Sequence, residues 1–167
     1  MSCASYSGGR WALNTRDSNL QTLETTRRLC EVDRELIGSV LRSLYACRAA
    51  GDIDGMLNLL AADVVCFPDR TWGHAFYPRK IAGKEAVREA FLQRHINYVF
   101  VELEVHRTLI DGDQAAVHRT TKLRERGSGV TYTYDSVSFF RFRDGLIIEL
   151  SELPDGSALE AVINFPH

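Results

Sequence analysis

The sequence lacks an excess of either charge: 20 Lys plus Arg stand against 22 Asp plus Glu, a net charge of −2 over 167 residues. It therefore has no broad basic field to hold nucleic acid or an anionic membrane. It has no apolar run near the roughly 20 residues that cross a bilayer. Its opening stretch, Met1 to Tyr6, has neither the basic nor the apolar region of a secretion signal. The four cysteines, Cys3, Cys30, Cys47 and Cys66, form no C-x-x-C pair, and no Cys/His cluster has zinc spacing. No Gly-rich phosphate loop is present. The expectation is a cytoplasmic protein with no cofactor, no metal, and neither nucleic acid nor membrane as a partner.

What is there is the mix of a globular domain: 45% apolar and 25% charged residues. At this length one core is expected rather than two. Residues 1–18, rich in Ser, Gly, Asn and Arg, show no apolar period and read as a flexible tail; residues 19–167 read as a single domain. From Leu20 to Ala50 the period is helical, with Ile37, Val40, Leu41, Leu44 and Cys47 on one face. The weaker part around Thr25 to Arg28 could form a separate short helix. Gly51 stops the helix and Asp52 caps a second, carrying Ile53, Met56, Leu57 and Leu60. Val64 to Phe67 is a short strand ended by Pro68. A loop with Trp72, His74, Tyr77 and Pro78 follows. Gly83-Lys84-Glu85 then opens a third helix with Val87, Ala90 and Phe91 inside. His95, at its end, reads as a structural cation.

After residue 97 the period changes to two. Asp111-Gly112, Gly127-Ser128-Gly129 and Asp144-Gly145 cut the chain into runs of 98–110, 114–126, 130–143 and 146–153. Short turns between consecutive strands make an antiparallel meander, and strands this long must twist and curl. The fold class is therefore α+β: a cone-shaped curled antiparallel sheet packed on three N-terminal helices, with a pocket inside the cone.

These stretches resemble a known family. Gly51-Asp52-Ile53-Asp54-Gly55-Met56 with Leu59 to Val65, Gly83 to Val87, and Phe140 to Ile147 with Glu149 to Asp155 resemble the nuclear transport factor 2-like superfamily over roughly residues 33–165. Its ketosteroid isomerases, limonene-1,2-epoxide hydrolases and SnoaL-like polyketide cyclases have the most similar pattern. In the isomerases a Tyr and two Asp carry the chemistry. The matched positions here hold Leu44, Pro68 and Ser138, with Tyr45 and Asp69 one place off, so that constellation is not reproduced. The Asp-Arg-Asp set of the epoxide hydrolases finds no match either.

The face that each strand turns inward depends on turn length, because a one-residue slip flips every side chain. Three-residue turns pair Arg126 with Val130 and Phe142 with Leu146. They place His118, Ser138 and Leu150 in one inward row and Thr120, Ser136 and Glu152 in the next, with Tyr134 beyond; Phe140, Phe142 and Ile148 share that face. His118 and Glu152, roughly 11–12 Å apart, would flank a small apolar substrate as acid and base, with the pocket raising the pKa of Glu152. Tyr134 would donate to a developing oxyanion. Tyr45, Asp69, Trp72 and His74 are expected to line the mouth or the polar end of the pocket. Val137, Phe139 and Arg141 would lie on the convex face and form a homodimer interface. The expected function is a cofactor-independent isomerase or cyclase of secondary metabolism acting on a polyketide- or terpenoid-like substrate. Epoxide-hydrolase-like ring opening and a non-catalytic binding or dimerisation module are the alternatives.

Overall fold

The structure, a computed structural model, describes residues 15–68 and 80–155, without side chains at 15–20 and 26–32. In order, the elements are α1 (Thr15–Ala50), α2 (Ile53–Asn58), β1 (Leu60–Phe67), β2 (Ile81–Ala82), α3 (Lys84–Asn97), β3 (Tyr98–Asp111), β4 (Gln114–Glu125), β5 (Thr131–Arg143) and β6 (Leu146–Pro154). The chain divides between Val32 and Asp33 into two units. The first contributes the opening half of α1, and the second carries the core and the sheet.

α1 is continuous through Thr25 to Arg28 rather than broken there. It ends where Gly51 turns to φ 73° and donates its N–H to the Arg48 carbonyl, while the Asp52 N–H reaches the Cys47 carbonyl at 2.9 Å. This pair of bonds satisfies carbonyls that the helix end would otherwise leave bare. Asp52 Oδ1 then accepts the Gly55 N–H at 2.8 Å and starts α2. A side chain at Gly55 would meet Asp52 and the Cys47 sulfur, so this tight corner admits only glycine. α2 stops at Asn58, two residues short of the apolar period, because Leu60 already belongs to β1.

The sheet has six strands in the order β2-β1-β6-β5-β4-β3. β1 runs parallel to β6, and the other neighbours are antiparallel. Residues 98–111, 114–125, 131–143 and 146–154 form the long strands that the turn signals predict. The two-residue β2 carried no sequence signal of its own. Register shifts in β3, between Phe100 and Glu102 and between Val105 and Arg107, and another at the β5–β6 pair supply the bends that curl so long a meander.

The helices bury their stripes on the concave face. Ile37, Val40, Leu41, Leu44 and Tyr45 of α1 meet Met56, Leu57, Leu60, Val64, Val87, Phe91, Val117, Phe140, Ile147 and Leu150 in one core. Leu60, Val64, Val117 and Ile147 have no exposed surface. Each such side chain contributes about 1.5–3 kcal/mol by leaving water.

Candidate functional site

Register decides which polar groups enter the core, and here the structure corrects the sequence reading. Gly127, Ser128 and Gly129 do not make a three-residue turn. Glu125 donates to the Val130 carbonyl and its own carbonyl accepts from Gly129, which closes a four-residue loop and pairs Arg124 with Thr131. That one-residue difference flips β4. Ala115, Val117, Arg119, Thr121 and Leu123 point inward, while His118 and Thr120 point out. At the last hairpin Arg143 pairs with Leu146 across a two-residue turn, Asp144 at φ 52° and Gly145 at φ 76°. Ile148 then bulges, so Arg141 pairs with Glu149 and Ser138 with Glu152. The shorter turn and the bulge cancel in parity, so Ser136, Ser138, Phe140, Leu150 and Glu152 face inward as expected. Their partners are shifted: Phe140, not Ser138, lies opposite Leu150. Ile147 takes the fully buried place expected of Ile148.

Glu152 is 5% exposed and sits among three buried arginines. Arg48 Nη1 of α1 donates to its Oε1 at 2.5 Å, and Arg119 Nη2 of β4 donates to the same oxygen at 2.7 Å. Arg94 Nη1 of α3 donates to Oε2 at 3.3 Å and Nη2 to the Tyr134 hydroxyl at 2.8 Å. Arg119 Nη1 also donates to Ser136 Oγ. Phe100 is flanked by Arg48 and Arg94, with guanidinium carbons 5.6 and 5.3 Å from its ring centre. Arg119 lies 5.6 Å over the Tyr45 ring. Burial alone would raise the Glu152 pKa, but Arg48, Arg119 and Arg94 outweigh it and hold the carboxyl well below its ordinary value. The expected upward shift is thus reversed, and Glu152 is a fixed anion rather than a proton shuttle. Burial draws the Arg48 pKa down against the pull of Glu152, whereas for Arg119 the carboxylate and nearby tyrosines more than offset burial. Burial raises the Tyr45 phenol despite Arg119 and Arg48.

Arg119 Nε and Thr121 Oγ1 in this interior lack a hydrogen-bond partner among the described residues, while the Tyr45 and Ser138 hydroxyls lie against one another. A groove of about 1020 Å³ lies beside them, between α1 and β3. Leu41, Tyr45, Ala46 and Ala49 form its helix wall, and Leu103, Val105, Thr108 and Ile110 its strand wall. Leu103 and Val105 are the cross-strand partners of Thr121 and Arg119, and Thr108 is the partner of Val117, which pairs with Ser138. The open space is therefore on the β3 side of the concave face, where α1 leaves the outermost strand uncovered.

His118 lies outside. Its side chain is 45% exposed and its Nε2 is 3.7 Å from Asp135 Oδ2. Beside it Thr120 donates to Asp135 and meets His106 Nε2 at 2.6 Å, and the two imidazole centres are 5.0 Å apart. This polar cluster occupies the convex face, so the predicted pairing of His118 with Glu152 across a substrate does not occur. Asp69, Trp72 and His74 lie outside the described residues. His95 packs edge-on to Phe100. Burial, then Arg94, Arg48 and Arg126, lower its pKa, so it is not the cation expected at that helix end.

Residues 41–150 match the family model described as a SnoaL-like domain. This chain belongs to that family. Among solved structures, this SnoaL-like domain is similar to TerC co-crystallised with polyporic acid (22% identity, TM-score 0.66, 78% of this chain and 99% of that one). It is also similar to IdmH, a proposed polyketide cyclase from Streptomyces antibioticus (19%, 0.62, 77% and 99%). A third is a protein of ketosteroid isomerase-like fold from Catenulispora acidiphila in complex with trimethylamine (15%, 0.63, 76% and 93%). No curated protein matches the chain. Among the described residues of the domain, no helix is long and apolar enough to cross a membrane.

The sequence reading missed all three arginines of the SnoaL-like core, although the signal was present. Arg48 continues the α1 stripe 37-40-41-44, and Arg94 continues the α3 stripe 87-90-91. Arg119 alternates with Val117 and Thr121. A cation at an inward position on three separate elements is rare unless a partner waits inside.

Proposed function

We propose that this SnoaL-like domain is a cofactor-independent isomerase- or cyclase-type enzyme for a small, largely apolar substrate of polyketide or terpenoid kind, acting in secondary metabolism in the cytoplasm as a homodimer. The observation that carries this reading is the apolar groove, lined by Tyr45, whose ring lies 5.6 Å from the Arg119 guanidinium. An isomerisation or cyclisation through an enol builds negative charge on an oxygen. Fixed cations and hydroxyl donors in a water-poor site stabilise that charge without reorganising. Tyr45, on the groove wall, would meet such an oxygen, and Glu152 keeps the guanidiniums oriented. His118 faces outward, so among the described residues the proton-moving role falls to Tyr45 or Tyr134. The co-crystallised ligand of the fold neighbour TerC supports a ligand-holding interior. Exposed Phe139 and Leu153 on the outer face support the dimer.

The test is hydrogen–deuterium exchange at the α-carbon of a panel of cyclic and aryl ketones in D2O, followed by proton NMR. Wild-type protein should accelerate exchange of at least one member at least about tenfold above buffer, and Arg119→Met should remove the effect. Saturable binding with no exchange across the panel would leave the second reading, a non-catalytic ligand-binding module. The depressed pKa of Glu152 favours that reading, because the one inward carboxylate among the described residues is held as an ion.

A further inference from the structure

Gly38 stands in the interior of α1, where glycine is the least favourable residue after proline. The backbone gives no reason for it, since Gly38 is helical and is not among the glycines with positive φ. Close packing gives none either. A Cβ there would lie 3.4 Å from Arg42 Nη1 and 3.9 Å from Ile110 Cδ1, both ordinary contacts, so alanine would fit. A larger side chain would take the space between those two residues, and Gly38, Arg42 and Ile110 all line the α1–β3 groove. The walls of that groove are long and matched. The helix wall runs from Arg34 to Ala49, about 22 Å at the helical rise. The strand wall runs from Leu103 to Ile110, about 23 Å at the strand rise. Arg34 Nη2 lies 3.5 Å from the Ile110 carbonyl, so the walls run in opposite directions, with residues 34 and 110 at one end and 49 and 103 at the other. Gly38 sits about 6 Å in from the Arg34 end. Whatever fills the whole groove must pass it.

We propose that Gly38 is the residue that sets ligand length in this site, and that the ligand is an elongated apolar chain of about 20 Å, a linear acyl or polyene body lying along α1 past Gly38 rather than a compact pair of rings. This rests on the groove being the ligand site, as in the proposed function, and adds the shape of the ligand. It does not require turnover. Gly38, Ala46 and Ala49 keep the helix wall low, and Leu103, Val105 and Ile110 face it with hydrocarbon. Ala46, Ala49 and Val105 are exposed, so this apolar surface meets water until a chain covers it. Each methylene buried there is worth about fourfold in affinity.

The experiment is displacement of trans-parinarate, a linear fluorescent tetraene, from the full chain by octanoate, dodecanoate and hexadecanoate, each below its micelle concentration. In wild type the affinity should rise along the series, by at least about tenfold from dodecanoate to hexadecanoate. Gly38→Leu shortens the groove to about 16 Å. It should weaken hexadecanoate at least about tenfold and leave octanoate within about twofold. Gly38→Ala should keep the length series and hold or raise the melting temperature. Thr108→Phe obstructs the same stretch from the exposed strand wall without touching the helix, so it should give the same selective loss and decides the matter if Gly38→Leu does not fold. An equal loss for all three acids in these two variants, or no loss, would overturn the inference. A wild-type series that gains nothing beyond octanoate would also overturn it, while exchange or saturable binding of the ketone panel would leave the proposed function standing. Binding of neither the acids nor the ketones would overturn both.

Discussion

Arg48 and Glu152 are 104 residues apart in sequence, yet their side chains meet at 2.5 Å with both almost wholly buried. The contact ties the C-terminal turn of α1 to the last strand. A buried pair of this kind is a weak source of net stability, because desolvating two charges cancels most of their attraction. Its value lies in orientation: Glu152 also takes donors from Arg94 and Arg119, so one carboxylate sets the positions of three guanidiniums on three elements.

Removing that carboxylate should therefore cost far more than the pair contributes. Glu152→Gln leaves buried guanidiniums without their counter-charge and is expected to destabilise the domain by about 3–5 kcal/mol. Urea unfolding should show a lower midpoint with an unchanged slope. A loss under about 1 kcal/mol would mean that water or another acid neutralises the arginines.

The same carboxylate sets an acid limit. Its folded pKa is held well below the ordinary 4.5, so it binds fewer protons folded than unfolded near that pH. Its contribution is present in full above about 4.5 and is lost as pH falls toward the depressed folded value. Between pH 5 and 3 the wild-type melting temperature should fall more steeply than that of Glu152→Gln. Parallel curves would show that Glu152 does not titrate differently in the two states.

His118→Ala should change little. The imidazole is half exposed on the convex face and its nearest acidic partner, Asp135, is 3.7 Å away. Stability should stay within about 0.5 kcal/mol, and ketone exchange and ligand affinity should match wild type. Loss of exchange with stability intact would return His118 to the catalytic role that its sequence position first suggested.

The contrast between His118 and Glu152 shows where sequence reasoning stops. Strand alternation in β3 to β6, the Gly51 stop and the Asp52 cap are local physics, and they were legible. The face of β4 was not, because it hangs on whether Arg126 to Gly129 close a three- or four-residue loop, and Gly-Ser-Gly fits both. At Asp144-Gly145 the turn length was also misread, yet Glu152 still faced inward, since the bulge at Ile148 restored the parity. The arginine cluster was hidden for another reason. Helical and strand periods were scored on apolar residues, so charged members of the same stripes were assigned to solvent.

Cys66 offers an internal reporter of core integrity. It faces the core from β1, and burial, aided by Glu152, pushes its thiol up to about 12. Reaction with a thiol reagent needs the thiolate. In native protein at pH 8, peptide mapping after alkylation should find Cys66 unmodified, and its labelling should track global unfolding in urea. Prompt labelling in the native state would mean that β1 opens locally.

Asp144 is the last test, because it sets the turn that starts β6. It holds φ 52°, the only positive φ on a non-glycine residue described here. Asp tolerates that region through local hydrogen bonding, whereas a β-branched side chain does not. Asp144→Val should cost about 1–2 kcal/mol, although the side chain is exposed. Asp144→Asn should be nearly neutral, since Asn suits the same turn. The consequence should reach the interior. If the hairpin reopens to a longer loop, β6 slips by one residue, Glu152 turns outward and the arginines lose their anchor. Asp144→Val should therefore weaken the acid dependence assigned to Glu152 as well as lower the melting temperature. An equal loss in Asp144→Asn would show that the aspartate charge, rather than its backbone conformation, holds the turn.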